Sequence, residues 1–135
     1  MSDQLYQERI VELAKAKTGA GMLTAPTKSA RRDNPLCGDR VTIDVRLDGQ
    51  GRIAEIAHQV RGCLLCQASA SALASVAVGR DSAGIATLRH DAERALGREE
   101  GVAGEPFAAF APVAAHKSRQ ECVLLPFEAL KDALS

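Results

Sequence analysis

A chain of 135 residues with 46% apolar content has material for one compact domain with a real core and no room for a second, so residues 1–135 are expected to fold as a single unit. Its 17 Lys+Arg balance 17 Asp+Glu, leaving no basic excess to neutralise phosphates, and one Tyr, three Phe and no Trp give bases little to stack on. Nucleic acid is therefore not an expected partner. No run reaches the roughly 18 uninterrupted apolar residues of a membrane span, and Ser2 to Arg9 carry acids without an apolar h-region, so a soluble cytoplasmic protein without membrane contact is expected.

Residues 3–17 set Tyr6, Ile10, Leu13 and Ala14 on one helical stripe, with Asp3 in the opening turn, Lys15 and Lys17 near the close and Gly19 as a stop. Thr18 to Pro35 turns to Gly, Ala, Thr, Ser and Pro and reads as a long loop, with room for one short edge strand around Met22 to Ala25. Val41, Ile43, Val45 and Leu47 alternate with Arg40, Thr42, Asp44 and Arg46, the period of a strand with one buried face. After the turn Asp48-Gly49-Gln50-Gly51, a second strand over Arg52 to Arg61 puts Ala54, Ile56, His58 and Val60 on one face and leaves Ile53 out of step. The two make an antiparallel hairpin in which opposed residue numbers total about 99. Leu64 to Val78, rich in Ala, Leu and Ser and closed by Gly79, predicts a buried helix; Asp81 or Ser82 to Leu96, closed by Gly97, predicts another. Gly97 to Pro112 reads as loop with an apolar patch at Phe107 to Phe110. Arg119 to Leu134 predicts a terminal helix burying Leu124, Leu125, Phe127, Leu130 and Leu134, with Pro126 tolerable only in its first turn.

In a reducing compartment Cys37, Cys63, Cys66 and Cys122 read as metal ligands or reactive thiols rather than disulfide halves. The hairpin brings Cys37 and Cys63 close to one another at its open end, and Asp39 follows Cys37 across a glycine that frees the backbone to aim both donors at one point. Cys63 precedes a helix whose N-terminal dipole favours thiolate. Two thiolates and a carboxylate are an acceptable partial set for a tetrahedral zinc ion. The alternative is two buried thiols and an aspartate that turns the chain. Cys66, one turn inside the helix, reads as a small buried hydrophobe or as half of a Cys63/Cys66 redox pair, and no spacing rule places Cys122. His58 reads as a packed strand histidine, His90 as exposed and His116 as a weak ligand candidate, while Arg31-Arg32 and Glu99-Glu100 read as solvated loop charges.

The segments Asn34-Pro35-Leu36-Cys37-Gly38-Asp39, then Gly62-Cys63 running into Ala68-Ser69-Ala70-Ser71, then Arg119-Gln120-Glu121-Cys122 with Leu125 and Ala129-Leu130, together resemble the three motifs of the IscU/NifU N-terminal/SufU iron-sulfur assembly family. The resemblance spans nearly the whole chain. Glu121 stands where IscU-type members have His, Ala111-Pro112-Val113-Ala114 is at best a remnant of their chaperone motif, and the long interval between Cys63 and Cys122 is similar to that of SufU. Membership implies an α+β fold, a small antiparallel sheet packed against several helices with the metal site at one end of the sheet. It implies a zinc ion on Cys37, Asp39, Cys63 and Cys122, or iron or a labile [2Fe-2S] cluster on Cys37, Cys63 and Cys122. The implied role is that of a sulfur-transfer accessory rather than a stand-alone enzyme, taking persulfide sulfur from a SufS-like cysteine desulfurase and passing it to downstream iron-sulfur assembly proteins; the alternative is a scaffold that builds and transfers the cluster. Cys37, on the loop that follows the Gly/Pro-rich run, is the expected sulfur acceptor, with Cys122 the alternative.

Overall fold

The computed structural model describes residues 2–35 and 38–135, with side chains from residue 7 onward. Helix α1 (Ser2–Ala16) leads into three strands, β1 (Lys28–Asn34), β2 (Asp39–Leu47) and β3 (Ile53–Arg61). Helices α2 (Leu64–Ala77) and α3 (Ser82–Ala95), a 3₁₀ helix (Phe107–Ala115) and α4 (Lys117–Leu134) follow. The sheet is antiparallel in the order β1-β2-β3, with β2 central. This is the expected α+β architecture: α4 packs on β1 and β2, α2 packs on β3 and α4, and α1 covers α2.

The alternation in β2 does what its period demands, burying Val41, Ile43 and Val45 against the helices. The hairpin register differs from expectation by two residues, with Val41 opposite Val60 and Ile43 opposite His58. The turn accounts for half of this, since Asp48 N–H donates to Arg52 C=O at 2.9 Å and Leu47 pairs with Ile53. A bulge after Arg46 supplies the rest by leaving Ala54 unpaired. That bulge also turns Ile53, out of step in the sequence, onto the core face at 1% exposure, while Ala54 is exposed. Beyond the bulge, the shift of two keeps Ile56, His58 and Val60 on the face expected of them.

Residues 22–25 form no strand; the strand in this region is β1, Lys28–Asn34, at one edge of the sheet. Its Lys-Ser-Ala-Arg-Arg-Asp-Asn sequence has no apolar alternation, because its pairing rests on the backbone ladder to β2 and its charges blunt a free edge. Arg31 and Arg32 are therefore strand residues, and Arg32 joins β1 to α4 through Asp132 at 2.7 Å and Glu128 at 3.8 Å. The expected loop over 97–112 instead contains most of the 3₁₀ helix, which buries Phe107, Phe110 and Val113 at the spacing of three that this helix type requires. The Phe107 and Phe127 rings pack 5.3 Å apart. Pro126 lies in the middle of α4 rather than its first turn. It removes the donor that the Cys122 carbonyl would take in an unbroken helix. Nearby, the buried Ser69 hydroxyl of α2 donates to the Val123 carbonyl at 2.5 Å, tying the two helices together at this irregularity. Among the described residues no helix is long and apolar enough to cross a membrane.

Candidate metal centre

Three donor groups far apart in sequence meet at one end of the sheet. Asp39, Cys63 and Cys122 each bring a ligand atom within 4.8 Å of the others, with Asp39 and Cys122 buried and Cys63 partly so. None of Cys63, Cys66 and Cys122 is in a disulfide.

Asp39 opens β2 opposite Asn34, on the face shared with Val41, and so points toward the helices. Its carboxylate sits at the start of α2, where Oδ1 accepts the Cys63 N–H at 3.1 Å and Oδ2 lies 3.4 Å from Cys63 Sγ. Cys63 holds the N-cap position with extended backbone and makes no side-chain cap bond of its own. Asp39 supplies the acceptor that this helix end needs. Gly62 makes the approach feasible: a Cβ there would stand 2.6 Å from the Asp39 Cγ and Oδ1 atoms. On the other side Gln120, buried two residues before Cys122, donates to the Leu96 and Ala114 carbonyls at 3.2 and 3.1 Å and accepts from Arg98 Nε at 2.7 Å. The first turn of α4 is anchored there, and with it the direction of Cys122. A cavity of about 490 Å³, lined by Gly38, Asp39, Arg40, Arg61, Gly62 and Cys63, opens onto the group.

Of the expected donors, Cys37 lies outside the described residues; its neighbour Gly38 has φ +74°, a conformation only glycine takes without cost, and its N–H donates to Asn34 C=O at 2.8 Å. Cys66 is fully buried in the apolar core and stands outside the donor group, as a small hydrophobe does. His116 is exposed and also outside it, and Glu121 turns to Arg98 at 3.1 Å. Gly62 and Gln120 carry no role in the sequence pattern, since a collision avoided and an anchor formed exist only in three dimensions. A second set of donors, His90, Glu93 and Glu99, is already taken up in surface pairing: His90 meets Glu99 at 2.5 Å, and Arg89 meets Glu93 at 3.2 Å. The His90 hydrogen bond, foremost among several contacts, holds the Glu99 carboxyl below its ordinary pKa.

The donor set fits a thiophilic divalent ion. Zn–S bonds of about 2.3 Å in a tetrahedron hold sulfurs roughly 3.8 Å apart, inside the 4.8 Å within which these donor atoms all lie, and the mixture of soft sulfur with one hard oxygen suits zinc or iron.

A small sheet covered by helices, with two cysteines and one aspartate gathered at its end, defines an α+β domain with a candidate thiol-based metal site. The chain belongs to the NifU-like N-terminal domain family, which matches residues 5–133. It is 34% identical over 134 residues to the bifunctional protein NifU/MnmA of Rubrobacter xylanophilus, covering 94% of this chain and 28% of that longer protein. The iron-sulfur cluster assembly scaffold protein IscU of Thermotoga maritima is 26% identical, over 96% of this chain and 92% of that one. The zinc-dependent sulfurtransferase SufU of Bacillus subtilis is 30% identical over 79 residues, 58% of this chain and 52% of its own. Among solved structures, a nitrogen-fixing NifU-like protein (N-terminal) from Brucella abortus superimposes with TM-score 0.86 at 31% identity, covering 98% of this chain and 93% of that one. A putative iron-sulfur cluster assembly scaffold protein for the SUF system from Fervidobacterium islandicum gives TM-score 0.86 at 27% identity with complete coverage of both chains.

Proposed function

We propose that this protein is a zinc-bound sulfur acceptor of iron-sulfur cluster assembly, receiving persulfide sulfur from a SufS-like cysteine desulfurase in the cytoplasm. The observation that carries the reading is the convergence of Asp39, Cys63 and Cys122 within 4.8 Å from three separate elements. Cys37, two residues before Asp39, is the fourth member of the proposed set. Zinc on these groups would keep the thiols deprotonated while moderating their nucleophilicity.

The chain's own residues divide the remaining work. Asp39 holds the Cys63 backbone and thiol in place, and the anchored first turn of α4 holds Cys122. Cys37, on the loop that follows the Gly/Pro-rich run, is the proposed acceptor, and Cys122 is the alternative. The acceptor thiolate attacks the outer sulfur of the desulfurase persulfide; a new S–S bond forms on the acceptor, the old S–S bond breaks, and the desulfurase cysteine leaves as thiolate with no net redox change. Glu121 in place of the histidine of IscU-type members supports a SufU-like assignment.

A scaffold carrying a [2Fe-2S] cluster as cargo on Cys37, Cys63 and Cys122 is the second reading, favoured by the full-length match to a protein described as an assembly scaffold. Metal analysis separates them. Colourless protein with one zinc per chain that takes up sulfur from a desulfurase supports the first reading, and brown protein absorbing in the visible after reconstitution supports the second. Protein that holds neither metal nor transferred sulfur contradicts both.

A further inference from the structure

We propose that the outer edge of β3 at Val60, between Lys17 and Arg61, accepts an extended acidic segment of the sulfur-donating protein as an added strand. The inference rests on the sulfur-acceptor reading and adds where and how the donor docks.

The edge is already half used in this way. The segment Gly19 to Gly21 runs parallel to β3, its Gly21 N–H donating to His58 C=O at 2.9 Å and the His58 N–H donating to Gly19 C=O at 2.8 Å. His58 therefore directs its backbone groups away from β2, and by the two-residue alternation of the ladder Val60 does the same. The covering segment ends before Val60, and among the described residues nothing meets its N–H or C=O. Such exposed edges are the template for strand addition.

Charge states what kind of strand fits. Beside this edge lies a cavity of about 490 Å³ to which Lys17, Val60, Arg61 and Gln67 contribute, and Arg61 also lines the cavity that opens onto Asp39 and Cys63. Across both linings the acidic residue is Asp39 alone, against Lys17, Arg40 and Arg61, in a chain whose net charge is zero. Lys17 and Arg61 make no side-chain ion pair or hydrogen bond among the described residues. Arg61 also stands directly opposite Arg40, a like-charge cross-strand pair that is unfavourable as it stands. Arg40 is relieved by Asp33 at 3.0 Å, whereas Arg61 has no such relief among the described residues. A carboxylate from outside supplies it. Cys63 lies three residues beyond Val60, roughly 10 Å along a strand, so a persulfide carried two or three residues past the paired segment reaches the thiol site.

The test uses the zinc-loaded full chain with a purified SufS-like cysteine desulfurase and cysteine, following sulfur transfer to the chain. Arg61→Glu and the double variant Lys17→Glu/Arg61→Glu are expected to raise KM about tenfold at low salt with kcat within about twofold and zinc content unchanged, and to lose the salt sensitivity of the wild-type KM. Val60→Pro, which removes an outward N–H that β2 does not use, is expected to raise KM without altering the salt dependence. Wild-type KM in both charge-reversal variants overturns the docking edge while leaving the acceptor function standing. A wild-type chain that takes no sulfur from the desulfurase overturns the functional reading and the docking edge with it.

Discussion

Gly62→Ala tests the geometry of the thiol and carboxylate group with the smallest change available. The added Cβ would stand 2.6 Å from Asp39 Cγ and Oδ1 and 2.9 Å from its Cβ, closer than side-chain carbons approach. Gly62 is outside the left-handed region, so the collision is the whole native-state effect. Asp39 is 3% exposed and fixed in β2 opposite Asn34, so its carboxylate has to rotate. Rotation breaks its bond to the Cys63 N–H, a charge-assisted contact worth roughly 1.5–3 kcal/mol. Alanine offsets about 0.4–1 kcal/mol of this by restricting the unfolded chain. A net loss of about 1–2 kcal/mol is expected in thermal unfolding, together with zinc binding weakened about 10–100-fold in competition with a chromophoric chelator, the size typical of disturbed support around a metal ligand. A Gly62→Ala protein with wild-type melting temperature and zinc affinity would refute the reasoning.

Ser69→Ala leaves the Val123 carbonyl without its buried donor beside Pro126 and is expected to cost about 1–3 kcal/mol by urea unfolding, whereas Ser75→Ala, on the exposed side of α2, changes stability by less than about 0.5 kcal/mol; equal effects would contradict the tie between α2 and α4. Phe107→Ala is expected to cost about 3–5 kcal/mol, since its ring is fully buried; a change within about 0.5 kcal/mol would mean that the segment is a solvated loop after all. Burial holds the His58 pKa below its ordinary 6.5, outweighing the bond to the Thr18 carbonyl at 2.7 Å, while its Nδ1 is buried with no partner. The unfolded chain gains a proton below pH 6.5 that the folded chain refuses, so this contribution is complete above 6.5 and declines as pH falls toward the lowered folded value. The urea midpoint is expected to drop between about pH 7 and pH 5, and to drop less in His58→Gln at matched metal content; identical profiles would contradict it.

What could be read from the sequence was whatever rested on local periodicity. The β2 alternation of Val41, Ile43 and Val45 and the caps at Asp81 and Gly97 mark their elements because burial and helix ends impose residue types directly. β1 stayed hidden because an edge strand is held by backbone pairing, and its Arg31 and Arg32 look like loop charges until α4 lies beside them. Pro126 stands in mid-helix beside a bond from Ser69 of another helix to the Val123 carbonyl, a tertiary contact no local pattern announces. The site divides in the same way. Asp39 and Cys63 follow from the hairpin even with its register two residues off, since a slip of two preserves the face. Cys122 arrives through the packing of α4 against α2, for which the sequence offers only the resemblance of its third motif.

The most direct test of the central claim is elemental analysis of freshly purified protein and of its four single Cys→Ser variants. The account predicts one zinc per wild-type chain, loss of metal from Cys37→Ser, Cys63→Ser and Cys122→Ser, and retention in Cys66→Ser, whose thiol lies in the core outside the donor group. Full zinc in Cys122→Ser, or its loss from a folded Cys66→Ser, would contradict it.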